Sequence, residues 1–184
     1  MRAALPLLTV LALAGCAGPA PANTAAVVDG QAVPTSRYDL LVSSAQRHVV
    51  GTGIQIDWDS AQGRARLREI QAQALRLAVR NVVVERMASR AGVTVGDADV
   101  DQSIKSLESL AGGADQLDQQ LSLEGLTRPQ YRTLLRDTLL DRELRARDAR
   151  YDAHVAAALK AASVQAYVGP CAADHQYPRC VDGS

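Results

Sequence analysis

The stretch Ser60 to Ala91, SAQGRARLREIQAQALRLAVRNVVVERMASRA, decides the fold. It holds no proline, and its one glycine before Ala91, Gly63, falls in the first turn. Leu67, Ile70, Ala74, Leu77 and Ala78, then Val84, Met87, Ala88 and Ala91, recur at the three-and-four spacing of a buried helical stripe. Such a helix runs roughly 45 Å. Arg66, Arg68, Glu69, Arg76, Arg80, Glu85 and Arg86 interrupt it, and each would cost about 2.5–3.5 kcal/mol at mid-bilayer, so it does not span a membrane. Val79, Val82 and Val83 form a second apolar patch off the stripe. The helix is therefore expected to be covered on more than one side by shorter neighbours.

Working outward, the 184-residue chain is long enough for one domain with a core and too short for two large ones. Aromatic residues make up only 3% and phenylalanine is absent, so the core must be built from Leu, Val and Ala. That composition suits helices better than a sandwich. Acids and bases balance at twenty each, and runs such as DRELRARDAR (Asp141 to Arg150) alternate in sign as solvated helix faces do. With neither a basic excess nor a basic stripe carrying aromatics, a nucleic-acid partner is not expected.

At the N-terminus, Arg2 precedes the apolar run Ala3 to Ala14, followed by Leu13-Ala14-Gly15-Cys16 and Ala17. A short positive region, a short apolar region and small residues before a cut describe a secretory signal. A cysteine after Leu-Ala-Gly resembles the lipobox of bacterial lipoproteins, which implies cleavage before Cys16 and acylation of that residue. Several acyl chains suffice to hold a protein stably on a bilayer. The expected layout is a signal peptide at 1–15, a lipidated cysteine and Pro/Ala-rich tether at 16–24, a helical domain at 25–170 and a tail at 171–184. The protein would sit outside the cytoplasm, on the periplasmic face of an outer membrane in a diderm cell or the outer face of the cell membrane in a monoderm.

Two short β-favouring runs, Ala25 to Val28 and Gln31 to Val33, flank Asp29-Gly30, a hairpin signal. Ser36 with Asp39 has capping-box spacing for a helix carrying Tyr38, Leu41, Val42, Ala45 and Val49, which Gly51 and Gly53 end. In the loop GTGIQIDWDS, Ile54, Ile56 and Trp58 alternate; they either form an apolar lip over a peptide-binding groove or staple the loop to the core. Asp59 or Ser60 caps the long helix, and Gly92 stops it.

Asp97, Asp99, Asp101, Ile104 and Glu108 fall at calcium-loop spacing, but Gln102 replaces the needed glycine and Lys105 intrudes among the ligands, so the acids read as a helix N-terminus. Gly112 and Gly113 break that helix, and a short one with Leu117 and Leu121 follows. Thr127 with Gln130, and Pro129 in the first turn, open a second long helix with Tyr131, Leu134, Leu135, Leu139 and Leu140 inward. The pattern loosens near Arg150, resumes at Val155 and ends in a strand-like run, Val164 to Val168.

Three stretches, AVVDGQAVPTSRYDLL (Ala26 to Leu41), VVERMASRAGVTVGDADVDQSI (Val83 to Ile104) and EGLTRPQYRTLLRDTLLDREL (Glu124 to Leu144), resemble the N-terminal domain of the SurA family of extracytoplasmic chaperones. PrsA-type lipoproteins and the client-binding part of trigger factor carry related helical domains. The resemblance implies a mainly α fold with a small sheet made by the N-terminal hairpin and a C-terminal strand, Val164 to Val168. It implies a protein that binds unfolded or extended polypeptides without ATP or other cofactor. The parvulin prolyl isomerase domain that follows in full-length members has no counterpart here, because Tyr151 to Val168 looks like the returning helix and strand. No catalytic residue is therefore carried over, and Ile54, Ile56 and Trp58 are the candidate client contacts.

Cys171 and Cys180 lie in PCAADHQYPRC. Outside the cytoplasm a disulfide is the default; a metal knuckle with His175 would have three ligands, too few for a closed structural zinc site. His48 and His154 fall on polar helix faces. No nucleophile elbow, phosphate loop or paired metal histidines occur. The remaining alternatives are an adaptor lipoprotein docking on one folded envelope partner through the Cys171 to Cys180 loop, and a residual prolyl isomerase.

Overall fold

The computed structural model describes residues 21–182. The expected signal peptide and the expected lipidation site, Cys16, lie outside them. The chain enters through β1 (Thr24–Val28), turns at Asp29 and Gly30, and returns as β2 (Gln31–Pro34). Both turn residues have positive φ, 48° and 84°, which matches the right-handed twist of a tight hairpin. Two strands alone are marginal. The third is β3 (Val164–Ala166), antiparallel to β1 with Val27 opposite Gln165, so the order is β2-β1-β3. The expected strand stops at Ala166, and Tyr167 adds one more bond by donating to the Ala25 carbonyl at 2.8 Å. Ala25, Ala26 and Val28 are fully buried beneath the helices.

Helix α1 (Thr35–Gly51) starts immediately after β2. The expected Ser36–Asp39 capping box does not form. Thr35 N–H is held by the Asn23 carbonyl at 2.9 Å, so the helix begins earlier, Pro34 takes the cap position, and Ser36 is already inside the first turn. Helix α2 (Ala61–Arg90) is the 30-residue spine, capped by the Ser60 hydroxyl, which accepts from Gly63 N–H at 2.9 Å. Gly63 is required there. A Cβ on it would strike the Asp57 carbonyl and the Trp58 backbone, where the loop lies against the helix.

Helices α3 (Asp97–Ala111), α4 (Ala114–Leu123) and α5 (Arg128–Arg147) form a second lobe around Val100, Ile104, Leu117, Leu121 and Leu139. Asp99 closes a capping box on Gly96 N–H at 2.8 Å, and Asp97 and Asp101 pair with Arg136 and Arg132 of α5. The acidic start of α3 is thus consumed by its own cap and by α5. Thr127 and Gln130 make the reciprocal cap expected for α5.

Helix α6 (Tyr151–Ala161) packs Tyr151 and Val155 against the far end of α2, with Val84, Ala88 and Leu144. A 3-10 turn (Gly169–Cys171) and the short α7 (Arg179–Asp182) then lie back on α2, burying Cys171 and Val181 in the main core. Val79, Val82 and Val83 are all buried, so α2 is covered on several sides, as its second apolar patch requires. Leu77 departs from the expected stripe: it is 41% exposed, because neither α1 nor α5 closes over it. Among the described residues no helix is long and apolar enough to cross a membrane.

Candidate functional site

Helices α1 and α2 are joined by the loop 52–60, and the seam between them is open along one side. Its outer end is a recess of about 760 Å³ lined by His48 and Val49 of α1, Ile54, Ile56 and Asp57 of the loop, and Ala65, Arg66 and Glu69 of α2. His48, Val49 and Arg66 also line the next recess, about 390 Å³, whose walls include Leu41, Ala45, Ile70, Leu77 and Glu124. Leu41 and Leu77 carry the surface on to a third, about 270 Å³, against Leu134 and Thr138 of α5. The three recesses form one groove. From Gln62 to Asn81 the helical rise gives it a length of roughly 28 Å, enough for about eight residues of extended chain.

Aliphatic side chains are spaced along it among polar ones. Ile54 at 56% exposure and Leu77 at 41% stand unpacked in it, and Val50, 53% exposed, extends the apolar surface at the tip. Of the three residues expected to contact a client, Ile54 and Ile56 meet at the outer recess. Trp58 is half-buried and lies outside the groove lining, beside the loop backbone that rests on Gly63. Sequence reading missed His48, Val49, Ala65 and Leu77; the polar-face and buried-stripe assignments of His48 and Leu77 pointed away from the groove. Leu110 and Leu123, more than 80% exposed, are separate protrusions on α3 and α4.

The inner end is fixed by charge. The Arg37 guanidinium stands 2.7 Å from Asp137 and 2.8 Å from Glu85, tying α1 to both α5 and α2. Asn81 donates to Asp137 at 3.0 Å. Burial pushes the Asp137 carboxyl above its ordinary pKa, Arg37 pulls against it, and Glu85 adds to the rise. Beside it Arg80 pairs with Asp141 at 2.5 Å and with the Tyr151 hydroxyl at 2.9 Å. For Asp141 burial works upward too, but the hydrogen bonds from Tyr151 and Arg80 outweigh it and hold the carboxyl below its usual value. On the α4 side, the Arg47 side chain donates to the Glu124 carbonyl and fills the space that a side chain at Gly125 would need.

Away from the groove, Cys171 and Cys180 are joined as a disulfide, and His175 Nδ1 lies 3.0 and 3.1 Å from the carbonyls of Ala166 and Cys171. The imidazole is thus engaged by backbone. His154 is exposed on its polar face and lies 2.6 Å from Asp148. The groove itself offers a surface for contact.

The sequence model of the SurA-like N-terminal domain family matches residues 3–145. The chain belongs to the SurA-like N-terminal domain family. The match takes in the hairpin, α1 through α4 and α5 as far as Arg145, and therefore all the groove-lining residues. The chain is also 32% identical over 129 residues to a protein of Pectobacterium atrosepticum named chaperone SurA, across 70% of this chain and 28% of that relative. This SurA-like chain thus spans little more than a quarter of the length of the curated relative it matches.

Proposed function

We propose that this protein binds extended, unfolded polypeptide segments in the groove between α1 and α2, acting as an ATP-independent holdase outside the cytoplasm. The observation that carries the reading is the unpacked aliphatic side chains of Ile54 and Leu77 within a domain of a chaperone-bearing family. Exposed apolar surface rimmed by polar residues marks an interaction site, and aliphatic contacts hold segments without demanding one sequence. The name of the Pectobacterium relative supports polypeptide clients, and the joined Cys171 and Cys180 favour an oxidising compartment.

The layout we propose is a signal peptide at 1–15, acylated Cys16 with its tether at 16–24, the client-binding domain at 25–170 and the disulfide tail at 171–184. The role we propose for the described domain is binding. The lipid anchor rests on the sequence around Cys16. Mass spectrometry of the mature N-terminus checks it; an unmodified cysteine, or an N-terminus elsewhere, removes it.

The test of the function is suppression of aggregation of a reduced, unfolded model protein. The chain is expected to slow it at a few-fold molar excess. Ile54→Ser with Leu77→Ser should weaken the effect several-fold while leaving the melting temperature nearly unchanged, and Leu110→Ser should not. No suppression by the unaltered chain would refute the reading.

A further inference from the structure

Resting on the client-binding reading, we infer that the groove selects extended segments in which aliphatic side chains are interspersed with lysine or arginine. Two features of the lining carry this. First, the cations of the lining are already engaged. Arg66 pairs with Glu69 at 2.8 Å, and Arg80 is held by Asp141 and Tyr151. Second, two carboxylates of the lining have no cation within ion-pairing distance among the described residues. Asp57 at the outer recess accepts only the Asp59 N–H, at 3.0 Å, and Glu124 stands on the edge of the middle recess. Both recesses share His48, Val49 and Arg66, so the two acids stand on adjoining recesses that carry Val49, Ala45, Ile70 and Leu77.

A segment lying there places its apolar side chains on Val49, Ala45 and Leu77 and leaves two unanswered negative charges beside its backbone. A basic side chain answers either charge; an acidic one adds repulsion. The same two charges disfavour an anionic lipid surface as the occupant of this face.

The experiment uses the full chain and fluorescein-labelled peptides of about nine residues, matched to the groove length. Leu and Ser alternate, and two Ser positions are replaced by Lys, Gln or Glu. Fluorescence anisotropy is expected to give a dissociation constant about five- to tenfold lower for the Lys peptide than for the Glu peptide at low ionic strength, with the gap closing as salt rises. Asp57→Asn with Glu124→Gln should close the gap between the Lys and Glu peptides. Equal affinity for the three peptides overturns the charge preference and leaves client binding standing. A preference that survives the double substitution overturns the assignment to these two acids. Failure of all three peptides to bind overturns both readings. Vesicles containing anionic lipid should not compete; displacement of the Lys peptide by them would assign the face to a membrane instead.

Discussion

Arg37 and Asp137 meet 2.7 Å apart where α1, α2 and α5 converge, with their side chains only 16% and 17% exposed. Glu85 completes the group at 2.8 Å. One guanidinium thus answers two carboxylates at the inner end of the groove, and it fixes how far apart the helices stand.

Arg37→Met leaves Asp137 and Glu85 facing each other with no counter-charge. A broken buried pair costs about 3 kcal/mol or more, read as a lower urea midpoint. The remaining carboxyl, already raised by burial, rises further without Arg37. A raised acid favours the fold below its unfolded pKa and loses that contribution as pH climbs through the folded value. The deficit should therefore widen from mildly acidic pH toward neutrality, and Asp137→Asn added to Arg37→Met should recover part of it.

The opposite sign holds at Asp29, Asp141 and Asp148, whose carboxyls lie below the ordinary value of 3.8. Asp29 is held down first by the Ser163 N–H and then by Arg86, and Asp148 by His154 and then the Arg150 N–H. Their stabilisation is complete above the unfolded pKa and is lost as pH falls from that value through the depressed folded ones. Unfolding measured down the acid limb should show this loss, and Asp141→Asn should flatten it.

Gly63→Ala forces the Asp57–Trp58 backbone off the first turn of α2. Overpacking against backbone typically costs about 1–3 kcal/mol. Trp58 is the sole tryptophan, so its emission reports the shift directly. The variant should melt earlier, change its emission and bind client peptides more weakly; an unchanged spectrum would show that the loop does not rest on Gly63.

Tyr38 is buried, and its hydroxyl meets no partner among the described residues while pressing on Gly169. Burial, with Asp39 adding, pushes its pKa up to about 12. Removing an unsatisfied hydroxyl while keeping the ring is nearly neutral or stabilising, by up to about 1 kcal/mol. Tyr38→Phe should therefore hold or raise the urea midpoint, unlike most core changes. A clear drop would mean that the hydroxyl has a partner.

Cys180→Ala opens the loop that ends in α7, where Val181 is buried and Arg76 donates to its carbonyl at 2.7 Å. Closing so short a loop is worth about 2–3 kcal/mol in the chain-entropy model. The variant should lose about that much stability and keep nearly all its helical signal, because α1 to α5 take no residue from this loop.

The elements legible in the sequence were those written in local signals. Asp29-Gly30 declared the hairpin, Ser60 and the Thr127–Gln130 pair declared helix starts, and the periodicity from Ala61 to Arg90 declared the spine. The Ser36–Asp39 box failed because a contact between Thr35 and Asn23, outside the helix, chose a different first residue. Leu77 was misread for a related reason: periodicity says that a face is apolar, and only the placement of neighbours says whether it is covered. The same limit hid the groove, whose walls come from α1, α2 and α5, and the Arg37 group, whose three members lie far apart in sequence. Ile54 and Ile56 stand out in the sequence because they alternate in a loop, and both line the outer recess.

The central position of β1 has a consequence for how the molecule is made. Its second edge is satisfied only by β3, with Ser163 N–H bonding to Asp29 across 134 residues of sequence. During synthesis the hairpin waits with one open side until Val164 has emerged, and an open edge is a template for wrong pairing. A chain that stops short of Val164 keeps that side bare, so it is set apart by its stickiness from one that carries β3.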